Sequence, residues 1–299
     1  MIKSENLTKV YNGVKAADSI SLTVGKGEVC GFIGPNGSGK TTTIGMMVGF
    51  IEPTGGRCMI NDIEVTKDPI GVKRIVGYLP DGFGFYGHLS AAQNLRFFSR
   101  LYGLEDADQR ISDLLNYVGL KGVNKPTDAY SKGMKQRLGL ARMLLNDPQV
   151  IFMDEPTNGL DPEGVVLFRN VIKDQASKGK SILFSSHNLE EVHQVCNTLC
   201  IISKGTIIAQ GTQSEVKVKM RKEGKYTIVV KVRGTMPNLI NPDITNAIYE
   251  DGRAVLQTKS DIRDYIIDEL SRSNLRIEEL RCDEESLEDL FLETVYRSN

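Results

Sequence analysis

Nine consecutive residues, Gly34-Pro35-Asn36-Gly37-Ser38-Gly39-Lys40-Thr41-Thr42, carry the clearest chemistry in the chain. Their form is G-x-x-x-x-G-K-[ST], a glycine-rich loop running into a lysine and a hydroxyl at the mouth of a helix. Glycines let the backbone take positive φ and turn its amides inward around an anion. A helix beginning there adds unpaired N–H groups and the positive end of its dipole. Lys40 would reach the β- and γ-phosphates of a nucleotide, and the Thr41 hydroxyl would ligate Mg²⁺. Asp154 and Glu155 form a second chemical cluster at the end of an apolar run. Burying two adjacent carboxylates is costly unless a cation compensates, and the Mg²⁺ that accompanies a nucleotide would do so.

These groups need a parallel α/β frame to meet. Glu28 to Ile33 reads as a buried strand entering the loop, and Ile44, Met47 and Val48 sit at helical spacing after it. Gln149 to Met153 is a buried strand whose C-terminal end delivers Asp154 and Glu155. Ser181 to Ser185 is another, with His187 at the same sheet edge. Residues 2–33 open β-rich, with strands over Ile2–Tyr11 and Ser19–Val24, and Tyr11 lies in the turn Lys9-Val10-Tyr11-Asn12-Gly13. Tyr11 is either a packed turn residue or a platform for a flat base. Arg57–Ile60 and Arg74–Leu79 read as strands, the second stopped by Pro80. The loop Asp81-Gly82-Phe83-Gly84-Phe85-Tyr86-Gly87-His88 interleaves glycines with aromatics. Those aromatics either tuck back onto the core or meet a partner.

Ser90-Ala91-Ala92-Gln93 is a capping box opening a helix with Leu95, Phe98 and Tyr102 on its buried face. Residues 106–119 make a second amphipathic helix, carrying Ile111, Leu114, Leu115 and Val118, and the two suggest a helical subdomain over about 82–147. Ser131 reads as the N-cap of a helix carrying Leu138, Ala141, Leu144 and Leu145. Asp161 with Pro162 starts another that runs to about Ser177. Beyond about Ser214 the character changes. Lys217 to Lys225 reads as a basic linker. Strands are expected over Tyr226–Val232, Ala254–Gln257 and Leu275–Leu280, and helices over Asp261–Ser271 and Leu287–Tyr296. That is a small α+β domain of roughly 80 residues, near the lower limit for folding alone.

Composition restricts the partners. The 299 residues are 40% hydrophobic with a formal charge of −1, so nothing global points to nucleic acid, and none is expected. No apolar run reaches the roughly 18–20 residues that cross a bilayer, and the N-terminus lacks a signal-peptide core. The expectation is a cytoplasmic protein, or one held at a membrane by a partner. Five cysteines, Cys30, Cys58, Cys196, Cys200 and Cys282, are too irregular for a disulfide framework. His193, Cys196 and Cys200 have helical spacing for a metal, but Cys200 falls in the apolar strand Leu199–Ile202, which argues against such a site.

Taken in order, these motifs closely resemble the ATP-binding subunit of ATP-binding-cassette (ABC) transporters, over roughly residues 1–214. The resemblance implies an α/β P-loop NTPase cassette with an antiparallel β subdomain and a helical subdomain. Gly34–Thr42 is similar to the Walker A loop and Val150–Asp154 to Walker B. Glu155 matches the catalytic glutamate, Asn158–Asp161 the D-loop, His187 the switch histidine, and Tyr11 the aromatic that stacks on adenine. Ser131 and Gly133 match the signature motif, which in this family reaches the γ-phosphate of ATP held by the other subunit of a dimer. Two departures stand out. The commonest signature is Leu-Ser-Gly-Gly-Gln, and here it is Tyr130-Ser131-Lys132-Gly133-Met134, a form familiar in the branch that exports drugs, antibiotics, lipids or polysaccharides. Asp81 stands where most members have the Q-loop glutamine, and its carboxylate can still ligand Mg²⁺ alongside Thr41 and Asp154. Residues 215–299 resemble the same branch through Ser286-Leu287-Glu288-Asp289-Leu290-Phe291.

The resemblance implies ATP hydrolysis with Mg²⁺, a second cassette subunit forming a homodimer, and a separate transmembrane permease that holds the protein at the cytoplasmic face. A non-transport cassette ATPase is the alternative, but its DNA-repair forms need a long coiled coil between Walker A and the signature. An ATP-switched regulatory module is a further alternative.

Overall fold

The structure, a computed structural model, describes residues 1–82, 84–220, 226–284 and 287–296. Phe83 of the aromatic loop, the end of the expected linker and Ser286 of the C-terminal stretch lie outside the described residues. Two compact units divide the chain at Gln213 and Ser214.

The first unit opens with β1 (Ile2–Tyr11) and β2 (Val14–Val24), joined by a two-residue turn in which Asn12 and Gly13 both take positive φ, 47° and 82°. Both central positions of this hairpin turn are left-handed, which Asn-Gly tolerates. β3 (Val29–Ile33), the phosphate-type loop and α1 (Lys40–Met47) follow. Next come β4 (Gly55–Ile60), β5 (Ile63–Glu64), α2 (Pro69–Ile75) and β6 (Val76–Leu79). The strand expected over Arg74–Leu79 is therefore shorter, because α2 takes Arg74 and Ile75. Asp68 caps α2 by accepting from the Gly71 amide at 2.8 Å, and Pro69 sits in its first turn.

Three helices, α3 (Ala91–Leu101), α4 (Asp108–Tyr117) and α5 (Lys132–Met143), form the helical region. The Ser90 capping box is complete: Ser90 Oγ accepts from the Gln93 amide, and Gln93 Oε1 accepts from the Ser90 amide. Leu95 and Phe98 are buried, but Tyr102 sits past the end of α3 and stays exposed, contrary to expectation. The chain then alternates β7 (Val150–Met153), α6 (Pro162–Ser177), β8 (Ser181–Ser186), α7 (Leu189–His193) and β9 (Thr198–Ser203), and closes on β10 (Thr206–Thr212).

These strands make two sheets. One is antiparallel, ordered β2-β1-β4-β5; the other runs β10-β9-β3-β8-β7-β6, parallel throughout except for the antiparallel edge strand β10. A single apolar core joins both sheets to α1, with Ile2, Leu7, Ile20, Phe32, Ile44, Met47, Ile60 and Phe152 fully buried. Parallel strands covered on both faces become continuous apolar runs, and β3, β7 and β8 are buried along their whole length. Their C-terminal ends share one edge, which places every loop of interest on the same side.

In the second unit the expected linker is helical from its start: α8 (Gln213–Met220) includes Lys217 to Met220. β11 (Tyr226–Arg233), β12 (Ile244–Glu250), β13 (Arg253–Thr258), α9 (Arg263–Arg272), β14 (Arg276–Glu284) and α10 (Leu287–Tyr296) complete it. The antiparallel sheet is ordered β12-β13-β11-β14 and packs Ile228, Val230 and Leu256 against Ile266 and Leu270 of α9. β12 was not expected, since an edge strand exposed on much of both faces leaves little apolar alternation.

Candidate functional site

The loop after β3 is shaped by close backbone contacts. A Cβ at Gly34 would lie 2.3 Å from the Ile202 carbonyl, and one at Gly39, where φ is 103°, would lie 2.2 Å from the Ala16 carbonyl. Only glycine fits either place. The loop is pinned from outside too: the Gly205 amide donates to the Ser38 carbonyl at 3.0 Å, and the Gly34 amide to the Ser186 carbonyl at 3.4 Å. Pro35, Asn36 and Gly37 form its outer rim, the last two exposed. Ser38 Oγ is buried with no hydrogen-bond partner among the described residues. A buried hydroxyl without a partner costs about 1–3 kcal/mol, so it is a group awaiting a ligand oxygen.

Lys40 is 6% exposed and its Nζ donates to the carbonyls of Gly34 (2.7 Å) and Pro35 (3.2 Å). The same Nζ lies 3.3 Å from Glu155 Oε1, while Glu155 Oε2 is 2.8 Å from His187 Nδ1. The loop after β3, the end of β7 and the end of β8 thus converge on one carboxylate. Glu155 has φ of 47°, a left-handed conformation that costs a residue with a long side chain of order 1–3 kcal/mol. Such strain persists only where neighbours fix the backbone, and here the Glu155 amide donates to Ser185 Oγ at 2.9 Å. Ser185 Oγ in turn donates to Asp154 Oδ1 at 2.5 Å. Asp154 is 2% exposed, and among the described residues no Lys, Arg or His pairs with it.

Asp81 follows the end of β6, the strand beside β7, and is exposed. Burial first, then the carboxylates of Asp154 and Asp81, push the Tyr78 phenol above its ordinary range. Thr41 is exposed and Thr42 half-buried at the head of α1. Tyr11 projects from the hairpin end with 45% of its surface exposed and Lys9 Nζ 5.2 Å from its ring centre.

Ser131 and Gly133 lie elsewhere. Ser131 caps α5 by accepting from the Met134 amide, and Lys132 Nζ reaches Asn158 Oδ1 at 3.4 Å. Asp161 caps α6 and also pairs with Arg137 of α5 at 3.5 Å. The 131–133 turn therefore abuts the 158–161 loop, and among the described residues no hydrogen bond or ion pair joins it to Gly34–Thr42. Of the aromatic loop, Phe85 packs edge-on against Phe98 (6.4 Å between centres) and Tyr86 against Phe97 (4.7 Å), so both side chains rest on α3. Cys30, Cys196 and Cys200 are buried, and burial raises all three thiols, Cys30 to about 12, as for structural rather than reactive cysteines.

Comparison with known proteins decides the family. The model of the ABC transporter family matches residues 17–158. The ABC transporter ATP-binding protein NatA of Bacillus subtilis is 39% identical over 74% of this chain and 92% of its own. The chain belongs to the ATP-binding-cassette family, as an ATP-binding subunit of an ABC transporter. ATP hydrolysis is the general activity of that family. The bacitracin transport ATP-binding protein BcrA of Bacillus licheniformis is 32% identical over 99% of this chain and 97% of its own, so the likeness runs through the second unit as well. A solved ATP-binding subunit of an ABC transporter superposes with a TM-score of 0.68 at 29% identity, covering 73% of this chain and 92% of that one.

Two features of the cassette escape motif reading. Ser185 Oγ links the Asp154 carboxylate to the Glu155 backbone amide, and Glu191 of α7 accepts from Thr157 Oγ1 at 2.5 Å and from Ser186 Oγ at 3.4 Å. The signal for Ser185 is a hydroxyl directly after the apolar run Ile182-Leu183-Phe184 of a fully buried strand, where a polar side chain needs a partner. Nothing in the sequence announces Glu191.

Proposed function

We propose that the cassette hydrolyses ATP as one half of a head-to-tail homodimer and powers export through a separate membrane permease. Each loop Gly34–Thr42 holds one nucleotide, and Ser131 and Gly133 of a second copy complete that site at the γ-phosphate. The observation that carries this reading is the Glu155 carboxylate set between Lys40 and His187 at the edge of the parallel sheet. The 131–133 turn, which among the described residues makes no hydrogen bond or ion pair to its own loop, supports completion by a second copy.

Mg²⁺ fits the residues present. Asp154 is a buried carboxylate with a hydroxyl partner and, among the described residues, no cationic one, and a nucleotide-carried Mg²⁺ needs only one or two protein carboxylates. Thr41, Asp154 and Asp81 would hold it, and it would supply charge neutralisation across the β- and γ-phosphates. The remaining work belongs to the protein's own groups. The loop amides and Lys40 orient the triphosphate, with Ser38 Oγ free to donate to it. Tyr11 stacks on adenine. As the γ-phosphate takes Lys40, Glu155 is released to accept a proton from the attacking water, and His187 contacts the γ-phosphate. Positioning and charge stabilisation, rather than covalent chemistry, carry the rate.

Closing the pair on ATP and opening it after hydrolysis supplies the motion. The 82–88 loop, seated on α3 through Phe85 and Tyr86, joins the nucleotide edge to the helical region and would pass that motion to the permease at the cytoplasmic face. The test is the mass of the Glu155→Gln protein in solution with and without Mg²⁺-ATP. It should rise from one chain's 33.1 kDa to twice that with ATP and stay single with ADP. A mass unchanged at saturating ATP would defeat the two-copy site.

A further inference from the structure

We infer that Ser185 is a positioning residue for hydrolysis, aligning the Mg²⁺-binding carboxylate and the water-activating glutamate through one hydroxyl; this rests on the roles proposed above for Asp154 and Glu155. The geometry is specific. Ser185 lies in β8 with no exposed surface, beside the end of β7. Its Oγ spends its single proton on Asp154 Oδ1 at 2.5 Å and accepts the Glu155 amide at 2.9 Å. The ladder bonds of β7 run out here, since the Asp154 amide goes to the Leu79 carbonyl on the other side. The Glu155 amide therefore has no strand partner, and a side chain must take it.

Two consequences follow for the site. First, the hydroxyl fixes which oxygen of Asp154 is engaged, leaving Oδ2 for a cation. Second, it holds the amide of a residue whose φ is 47°, and that left-handed turn sends the Glu155 side chain back to Lys40 and His187 rather than along the strand direction. Without the hydroxyl, a buried carboxylate oxygen and a part-buried amide each lose their partner. Relaxation of either moves a group that must be placed to within a fraction of an ångström. Ser185 never touches the reacting atoms. Its effect passes through the two carboxylates.

The test compares purified full-length wild-type protein with the Ser185→Ala and Glu155→Gln variants. Steady-state ATP hydrolysis is measured against ATP and, at fixed ATP, against Mg²⁺; ADP affinity is measured by titration with a fluorescent analogue. Ser185→Ala is expected to lower kcat roughly 10- to 100-fold, the loss appropriate to one hydrogen bond to a charged group. KM for ATP and the ADP affinity should stay within about threefold, while the half-saturating Mg²⁺ concentration rises. A merely structural serine would instead weaken nucleotide binding and turnover together, and that result would overturn the inference. So would a Ser185→Ala kcat within twofold of wild type when Glu155→Gln is inactive. If Glu155→Gln itself turned over normally, the reading of the site would fall first, and this inference with it.

Discussion

Replacing Glu155 by Gln should tighten the binding of ADP. Without nucleotide, Lys40 Nζ is shared between two loop carbonyls and Glu155 Oε1 at 3.3 Å, with the two side chains only 6% and 13% exposed. At an effective dielectric constant near 20, a unit-charge pair at that separation attracts by about 5 kcal/mol. Most of this is offset by the desolvation both groups have already suffered, and the two carbonyls stay with Lys40 in either state. A net competition of about 1.4 kcal/mol is a reasonable remainder, which is a factor of about ten in affinity. ADP is the right probe because its β-phosphate would draw on Lys40 under the proposed reading, while it lacks the γ-phosphate that would close two copies together. A fluorescent ADP titration at moderate salt should therefore give a Kd roughly tenfold lower for Glu155→Gln than for wild type. The ratio should shrink little in high salt, since the pair is buried. An unchanged or weaker Kd would refute the idea that Glu155 holds Lys40 against the incoming phosphate.

Three further outcomes follow from the structure. Tyr11→Ala should weaken ATP binding by about 1–2 kcal/mol, roughly 5- to 30-fold, while Tyr11→Phe should keep it, because stacking needs the ring face and not the hydroxyl; equilibrium nucleotide titration distinguishes the two. Ser90→Ala removes one arm of the capping box of α3 and should lower stability by about 1 kcal/mol, read as a shift in urea midpoint with unchanged slope. Lys180 donates to Asp147 at 2.6 Å and holds that carboxyl below its ordinary range. A depressed folded-state pKa gives stability that is present above the unfolded value, about 4, and lost as pH falls through the folded one. Asp147 is largely exposed, so Asp147→Asn should cost only about 0.5 kcal/mol at pH 7 and nothing near pH 2, in denaturation curves at both pH values. Asn is the clean replacement because φ at this position is 48°, which Asn tolerates.

Much of the parallel frame is legible because its strands have no exposed face. Val150–Met153 and Ile182–Phe184 are apolar runs ended by charged or polar residues, and burial on both sides leaves no other reading. The same reasoning fails where burial is partial. α2 is seven residues long with Val72 as its buried side chain, so no helical period develops even though Asp68-Pro69 marks its start. Val14 to Asp18 of β2 alternate poorly, and only the Asn12-Gly13 turn shows that the strand begins at once. Tyr102 matches the apolar period of α3 but falls after its last turn. In the site, Gly34–Thr42, Asp154, Glu155 and His187 are readable because each sits where a buried strand ends. The pairing of Glu155 with both Lys40 and His187 is not readable, since it depends on a left-handed backbone at one residue. The aromatic loop left two fates open, and the rings of Phe97 and Phe98 supply the reason that Phe85 and Tyr86 fold back.

Turnover of ATP with Glu155 changed and everything else intact tests the proposed role of Glu155 most directly. Hydrolysis by the purified protein, followed as phosphate release with Mg²⁺-ATP at saturation, should fall by about 10²–10⁴-fold in Glu155→Gln, the range supplied by a positioned general base. Nucleotide binding should survive in the same sample. Wild-type turnover by Glu155→Gln with bound ATP would contradict the assignment of the base. It would leave the carboxylate between Lys40 and His187 without its proposed role.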